Sequence, residues 1–155
     1  MKQILSIPYV RLSNNELSRE DATLIAEAVK VAQDAYAPYS QFKVGAAVLL
    51  ENGIIVTGSN QENAAYPSGL CAERTALFYA GAQYPDVPVL ALAVVAFNNI
   101  GQVEQISPCG SCRQVLVETS TRFKPFRLLL SGKDETIILE DARLCLPFGF
   151  DGSDL

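Results

Sequence analysis

Two short runs of this 155-residue chain carry side chains that can hold a metal and move a proton. They are Cys71-Ala72-Glu73 and, 38 positions after Cys71, Pro108-Cys109-Gly110-Ser111-Cys112. Zinc takes thiolates readily, and a catalytic zinc keeps three protein ligands and one open position for water. Three cysteines and a carboxylate two residues beyond the first meet that requirement. The chain has no histidine. Its absence removes Ser-His and Cys-His nucleophile pairs, imidazole proton shuttles and every zinc site that needs a His ligand. Chemistry here must use thiolates, carboxylates and backbone groups.

The elements that must position these groups follow from the pattern of apolar residues and breakers. Ser13 with Glu16, and Ser18 with Asp21, each offer a capping spacing before the apolar series Leu24, Ile25, Ala28, Val31, Ala32 and Ala35, which predicts a helix over about 15–36, ended by Pro38. Lys43 to Leu50 reads as a strand, Asn52-Gly53 as a hairpin turn and Ile54 to Gly58 as the returning strand. An irregular loop from Ser59 to Gly69 leads to a helix over Cys71 to Gln83, with Cys71 in its first turn. Val87 to Phe97 is a continuous apolar run, as expected of a central strand covered on both faces. Pro108 suits the first turn of a helix running to about Thr119, on which Cys109 and Cys112, three apart, share one face. Phe126 to Ser131 and Thr136 to Leu139 flank Gly132-Lys133-Asp134 as a second hairpin, and a short helical turn over Glu140 to Leu144 precedes the tail. Strands interleaved with helices predict an α/β fold, a three-layer α/β/α arrangement around a mixed sheet of about five strands.

Composition bounds the partners. Residues 1–155 fit one domain with one core. The longest apolar run spans eleven residues and contains Pro88, well short of the roughly 20 needed to cross a bilayer. The N-terminus lacks the apolar block and cleavage site of a secretory signal, so a cytoplasmic location with no membrane partner is expected. The net charge is −5 and the basic residues are scattered, which argues against a polymeric nucleic acid and for a small neutral ligand. In a reducing compartment, four cysteines read as metal ligands or core residues rather than disulfides.

Nucleobase deaminases that use zinc carry a Cys-x-x-Cys pair after proline, a first ligand that is His or Cys, and a Glu two residues beyond it. Four blocks extend the match: Ala37-Pro38-Tyr39-Ser40-Gln41-Phe42-Lys43-Val44-Gly45-Ala46-Ala47, Gly58-Ser59-Asn60-Gln61-Glu62-Asn63, Cys71-Ala72-Glu73-Arg74-Thr75-Ala76 and Pro108-Cys109-Gly110-Ser111-Cys112-Arg113-Gln114. From about Ala35 to the C-terminus the sequence resembles the small three-cysteine class of cytidine deaminases. Residues 1 to about 12 fall outside that match.

The resemblance implies hydrolytic deamination of cytidine and 2′-deoxycytidine to the uridine nucleosides and ammonia. It implies one Zn²⁺ per chain on Cys71, Cys109 and Cys112, with Glu73 moving protons between water, ring N3 and the departing amine. Asn60 and Glu62 would bond the ribose, with Phe42 and Ala72 among the substrate contacts. The resemblance further implies a homotetramer with shared active sites, in which a C-terminal Phe stacks on the base in a neighbour's pocket. Phe150 fits that role better than Phe148, counting three residues from Pro147 and aligning Asp154-Leu155 with the family's tail. Three thiolates and Zn²⁺ sum to −1, which weakens the metal as a Lewis acid; the two helix N-termini and Arg74, beside Cys71, are placed to withdraw that charge.

Two other readings stand beside this one. Cys109-Gly110-Ser111-Cys112 could be a redox dithiol, which leaves Cys71-Ala72-Glu73 without a role. Cys145 could be the fourth ligand of a structural zinc site in a binding module, although Leu144-Cys145-Leu146 suits a small packed hydrophobe. Within the enzyme reading, a related deaminase acting on another base, a nucleotide or a nucleoside antibiotic is the alternative.

Overall fold

The computed structural model describes residues 1–153 and 155, so Asp154 of the expected tail match lies outside the described residues. Six strands form one mixed sheet in the order β1-β6-β5-β4-β2-β3. The strands are β1 (Val10–Ser13), β2 (Lys43–Leu50), β3 (Ile55–Ser59), β4 (Val89–Phe97), β5 (Arg127–Ser131) and β6 (Glu135–Leu139). β4 and β5 run parallel, and the other neighbouring pairs are antiparallel. Three helices cover the sheet: α1 (Arg19–Ala32), α2 (Ala72–Gln83) and α3 (Gly110–Arg122).

Side chains alternate across the sheet with period two. Ala47 of β2, Ala91, Ala93 and Val95 of β4 and Leu129 of β5 pack with Leu24, Ala28 and Ala32 of α1. Ala46 and Val48, Leu92 and Val94, and Leu128 and Leu130 point the other way, against Ala72, Ala76 and Leu77 of α2 and Leu116 of α3. The result is the expected α/β/α sandwich, with β4 buried on both faces. A partly buried ion pair adds to the α1 side: Arg127 of β5 donates to both oxygens of Asp21 at 2.8 and 2.9 Å.

β1 is a sixth strand, beside the about five that the sequence pattern predicts. β1 pairs only with β6, from Val10↔Ile138 to Ser13↔Glu135. A four-residue edge strand is too short for its alternation to stand out, and its partner lies far along the chain. Asn14, just after it, donates its side-chain amide to the carbonyls of Gly132 and Lys133 at 3.1 and 3.0 Å, clasping the β5–β6 turn.

The first helix is shorter than its apolar pattern. Both capping spacings are used, but by different elements. Glu16 accepts from the Ser13 backbone N–H at 3.0 Å around a separate 3-10 turn over Asn14–Glu16. Ser18 Oγ accepts from the Asp21 N–H at 3.1 Å and caps α1. At the other end the N–H groups of Gln33, Asp34 and Ala35 bond to carbonyls three residues back, so the helix tightens and stops before Pro38 is reached.

Two glycines set how closely the helices lie on the sheet. A Cβ at Gly45 would stand 2.0 Å from the Ala28 carbonyl oxygen of α1. One at Gly58 would stand 2.6 Å from the Ala76 nitrogen and 2.9 Å from the Ala72 oxygen of α2. The contact at Gly58 presses the first turns of α2 onto β3 and so fixes the depth at which Cys71 and Glu73 sit.

Candidate functional site

Cys71 and Cys109 are both N-cap residues, one step outside the first turns where the periodicity puts Cys71 and Pro108. Each has extended backbone, and its carbonyl accepts the first helical bond, from Thr75 at 3.0 Å and from Arg113 at 2.9 Å. Pro108 therefore precedes the cap. Neither cap residue's side chain bonds the backbone N–H groups of its helix start, so sulfur is free to face the centre while helix N-terminal charge lies beside it. Cys112, one turn into α3, joins them from a fully buried position.

The three sulfur atoms lie within 4.8 Å of one another, with Cys71–Cys109 at 3.8 Å and Cys109–Cys112 at 3.5 Å. Zn–S bonds of about 2.3 Å at tetrahedral angles require sulfurs about 3.8 Å apart, so the donor set fits zinc in both type and spacing. The Cys71 thiol is lowered to about 5, first by its hydrogen bond with Cys112 and then, against the cost of burial, by Arg74. The same bond with Cys71, together with burial, pushes Cys112 far above the ordinary thiol range. Sulfurs packed this closely oppose one another's ionisation, and a cation among them offsets that charge. Arg74 Nη2 donates to Cys71 Sγ at 3.5 Å.

Glu73 is only 4% exposed. Burial raises its carboxyl above the usual range, and the charge of Cys71 adds to that. It nevertheless reaches the lining of a cavity of about 740 Å³, together with Cys71, Cys109, Arg74, Phe42, Asn60 and Glu62. Ala72 does not: its side chain is buried in the core against the sheet, so any contact it offers comes from its backbone. Cys145 stands outside the sulfur group among the described residues, and burial raises its thiol to about 11. A fourth structural ligand is therefore not what it provides, and a two-sulfur redox pair does not describe a group of three.

The expected ribose contacts are partly engaged within the protein. Asn60 accepts from the Val44 N–H and donates to the Phe42 carbonyl, both at 2.8 Å. Glu62 accepts from the backbone of Tyr39 at 2.9 Å and of Ser40 at 3.2 Å, and from the Ser40 hydroxyl. Phe150 is 63% exposed and Phe148 97%, and neither lines this cavity.

Arg113 and Gln114 have functions that residue type alone did not reveal. Arg113 donates to the Pro108 carbonyl, the Ser107 hydroxyl and the Cys145 carbonyl at 2.9, 2.9 and 3.0 Å. Gln114 donates to the Phe150 carbonyl at 2.7 Å. Together they tie the C-terminal tail to the helix that carries two of the cysteines. Tyr39, Tyr66, Leu70 and Ile106 also line the cavity; nothing in their types distinguishes them from ordinary core or loop residues.

Three cysteine sulfurs at two helix starts, a buried glutamate near them and a cavity above them, on an α/β/α sandwich, make a site suited to a hydrolytic zinc. The family described as "Cytidine and deoxycytidylate deaminase zinc-binding region" matches residues 18–125, and the chain belongs to that family. Among its relatives, a cytidine deaminase of Sporosarcina psychrophila is 45% identical over 134 residues, covering 85% of this chain and 92% of the relative. One of Halalkalibacterium halodurans is 47% identical over 95 residues, 61% of this chain and 68% of the relative. The crystal structure of cytidine deaminase from Burkholderia pseudomallei superposes with a TM-score of 0.70 at 39% identity, covering 86% of this chain and all (100%) of that one. That of Mycobacterium tuberculosis gives 0.66 at 33% identity, covering 86% and 98%.

Proposed function

We propose that the chain is a zinc-dependent cytidine deaminase that converts cytidine and 2′-deoxycytidine to uridine and 2′-deoxyuridine with release of ammonia, a step of pyrimidine salvage. The observation that carries this reading is the group of three sulfurs within 4.8 Å beside buried Glu73 on the floor of the cavity. Cys71, Cys109 and Cys112 would hold the zinc, which would supply the Lewis acidity that activates water near neutral pH. Glu73 accepts the proton that this water gives up and delivers it to ring N3 as C4 is attacked. The same carboxyl then takes the remaining proton of the hydroxyl added at C4, leaving a carbonyl there, and gives it to the departing amine, serving as base and then as acid. Arg74 draws charge from Cys71, and the two helix N-termini do the same for the thiolates.

The cavity suits a nucleoside rather than a nucleotide. Among the described lining residues Arg74 is the one cation, and it is committed to Cys71, so no charge is free for a phosphate. Asn60 retains an amide N–H and a carbonyl lone pair, and Glu62 a carboxylate lone pair, with which to bond ribose hydroxyls. Phe42 stands beside them as an apolar wall. Phe150, outside its own cavity, is available to a neighbour in a homotetramer with shared sites. Among the described residues no helix is long and apolar enough to cross a membrane, and the working assignment is a cytoplasmic enzyme acting on a free nucleoside, not on a polymer.

Incubating purified, zinc-loaded protein with cytidine, deoxycytidine, deoxycytidylate, adenosine and guanine while measuring ammonia tests the assignment. Release from the first two only is expected. Release from deoxycytidylate, adenosine or guanine at comparable rates would move the protein to another branch of the deaminases.

A further inference from the structure

Glu62 and Phe42 enter the cavity from two segments that are far apart in sequence, yet one small side chain joins them. The hydroxyl of Ser40 donates to Glu62 Oε1 and accepts from the Phe42 N–H at 3.0 Å. A serine hydroxyl has one proton to give and two lone pairs to receive with, so both roles are filled at once. The backbone is shaped for it: Gln41 lies between them at φ 55°, in the left-handed region that non-glycine residues enter rarely. That turn brings the Phe42 N–H back to Ser40 Oγ. Gln41 is held there by its N–H to the Ala37 carbonyl at 3.0 Å, and the far side of Phe42 is held by Asn60.

We propose that Ser40 is a positioning residue for the deamination reaction: its hydroxyl couples the Glu62 carboxylate to the Phe42 backbone, so that the polar and apolar sides of the nucleoside site form one pre-organised unit. The proposal rests on the reading of the cavity as a nucleoside site. Backbone strain kept at a binding site is held only where the surroundings over-determine it, and here Ser40, Asn60 and Ala37 all bear on the same three residues. The hydroxyl bond is also the first cause that keeps the Glu62 carboxyl below its usual range, leaving Glu62 an acceptor for a substrate hydroxyl. Ser40 is exposed, so its loss removes hydrogen bonds without opening the core.

The test uses the intact zinc-loaded enzyme and steady-state kinetics with cytidine. Ser40→Ala is expected to raise KM about tenfold, the usual scale for losing a hydrogen bond to a charged group, with kcat, zinc content and melting temperature little changed. Ser40→Thr, which keeps the hydroxyl, should recover most of that loss. In a Phe42→Ala or Glu62→Gln background, Ser40→Ala should cost much less than it does alone, because the ring or the carboxylate charge whose placement it serves is already gone. An unmoved KM in Ser40→Ala, or full additivity with both backgrounds, overturns the proposal while leaving the deaminase reading intact. Absence of cytidine turnover in the unmodified protein overturns both.

Discussion

The floor of the cavity and its wall are built by opposite strategies. The floor is made at two helix starts, where Cys71 and Glu73, and Cys109 and Cys112, are set by spacing within a single turn and α2 is pressed onto the sheet through Gly58. The wall is made by side chains that reach across to another segment's backbone: Asn60 to Phe42 and Val44, Glu62 to Tyr39 and Ser40. A metal and a proton carrier need fixed distances to one another, which local helix geometry supplies. Telling one nucleoside from another needs a surface shaped by several strands and loops, which only tertiary pairing supplies.

Substitutions on the floor should therefore abolish function outright. Cys71→Ala, Cys109→Ala and Cys112→Ala are each expected to lose bound zinc and all measurable deamination, by metal analysis alongside an ammonia assay. Cys145→Ser should keep both, since its sulfur stands outside the group. Loss of zinc in Cys145→Ser would erase the distinction between a three-ligand floor and the rest of the chain. Glu73→Gln ranks next. An amide cannot accept the water's proton, and general acid–base groups contribute about 10²- to 10⁴-fold. Because Glu73 serves more than one transfer, kcat should fall at or above the upper end while zinc content holds, and unchanged turnover would remove Glu73 from the reaction.

This division also explains what could be read before any coordinates. Cys71, Glu73, Cys109 and Cys112 were legible because i, i+2 and i, i+3 spacings mean the same thing in any helix start. The strands β2 to β6 were legible from apolar runs and from Asn52-Gly53. β1 was not, because an edge strand of four residues has its meaning in β6, more than 120 positions away. The limits of α1 were hidden because side-chain periodicity continues through Gln33 to Ala35 although the hydrogen bonding has already changed. Ser40, Arg113 and Gln114 carry no mark of their type; the Glu62 carboxylate, the Cys145 carbonyl and the Phe150 carbonyl that they bond are brought to them only by the fold.

The wall's outermost part is expected to belong to another subunit, and its loss should be milder than loss at the floor. Stacking on a base is worth on the order of 1 to 3 kcal/mol, so Phe150→Ala should lower kcat/KM for cytidine about tenfold or more, chiefly through KM, with zinc near normal. Mixed tetramers of Phe150→Ala chains and Cys109→Ala chains should regain activity where an intact aromatic meets an intact metal centre. Demonstrated co-assembly without regained activity would return Phe150 to its own chain or to no site at all.

The smallest effect should come from Asn60, and it separates a wall that touches substrate from one that only holds its own loop. Asn60→Asp keeps an acceptor for the Val44 N–H but loses the donor to the Phe42 carbonyl, setting a carboxylate against that oxygen; Asn60→Ala loses both. If Asn60 acts on the ribose as well as on the loop, both variants should lose discrimination against nucleosides lacking the 3′-hydroxyl, because a site built for a hydroxyl penalises its absence. If it acts on the loop alone, each variant should raise KM by one factor, the cost of its lost loop hydrogen bonds, for nucleosides with and without that hydroxyl. The ratio of the two specificity constants, not either constant by itself, decides between them: an unchanged ratio assigns Asn60 to the loop and leaves Glu62 as the ribose contact on this wall.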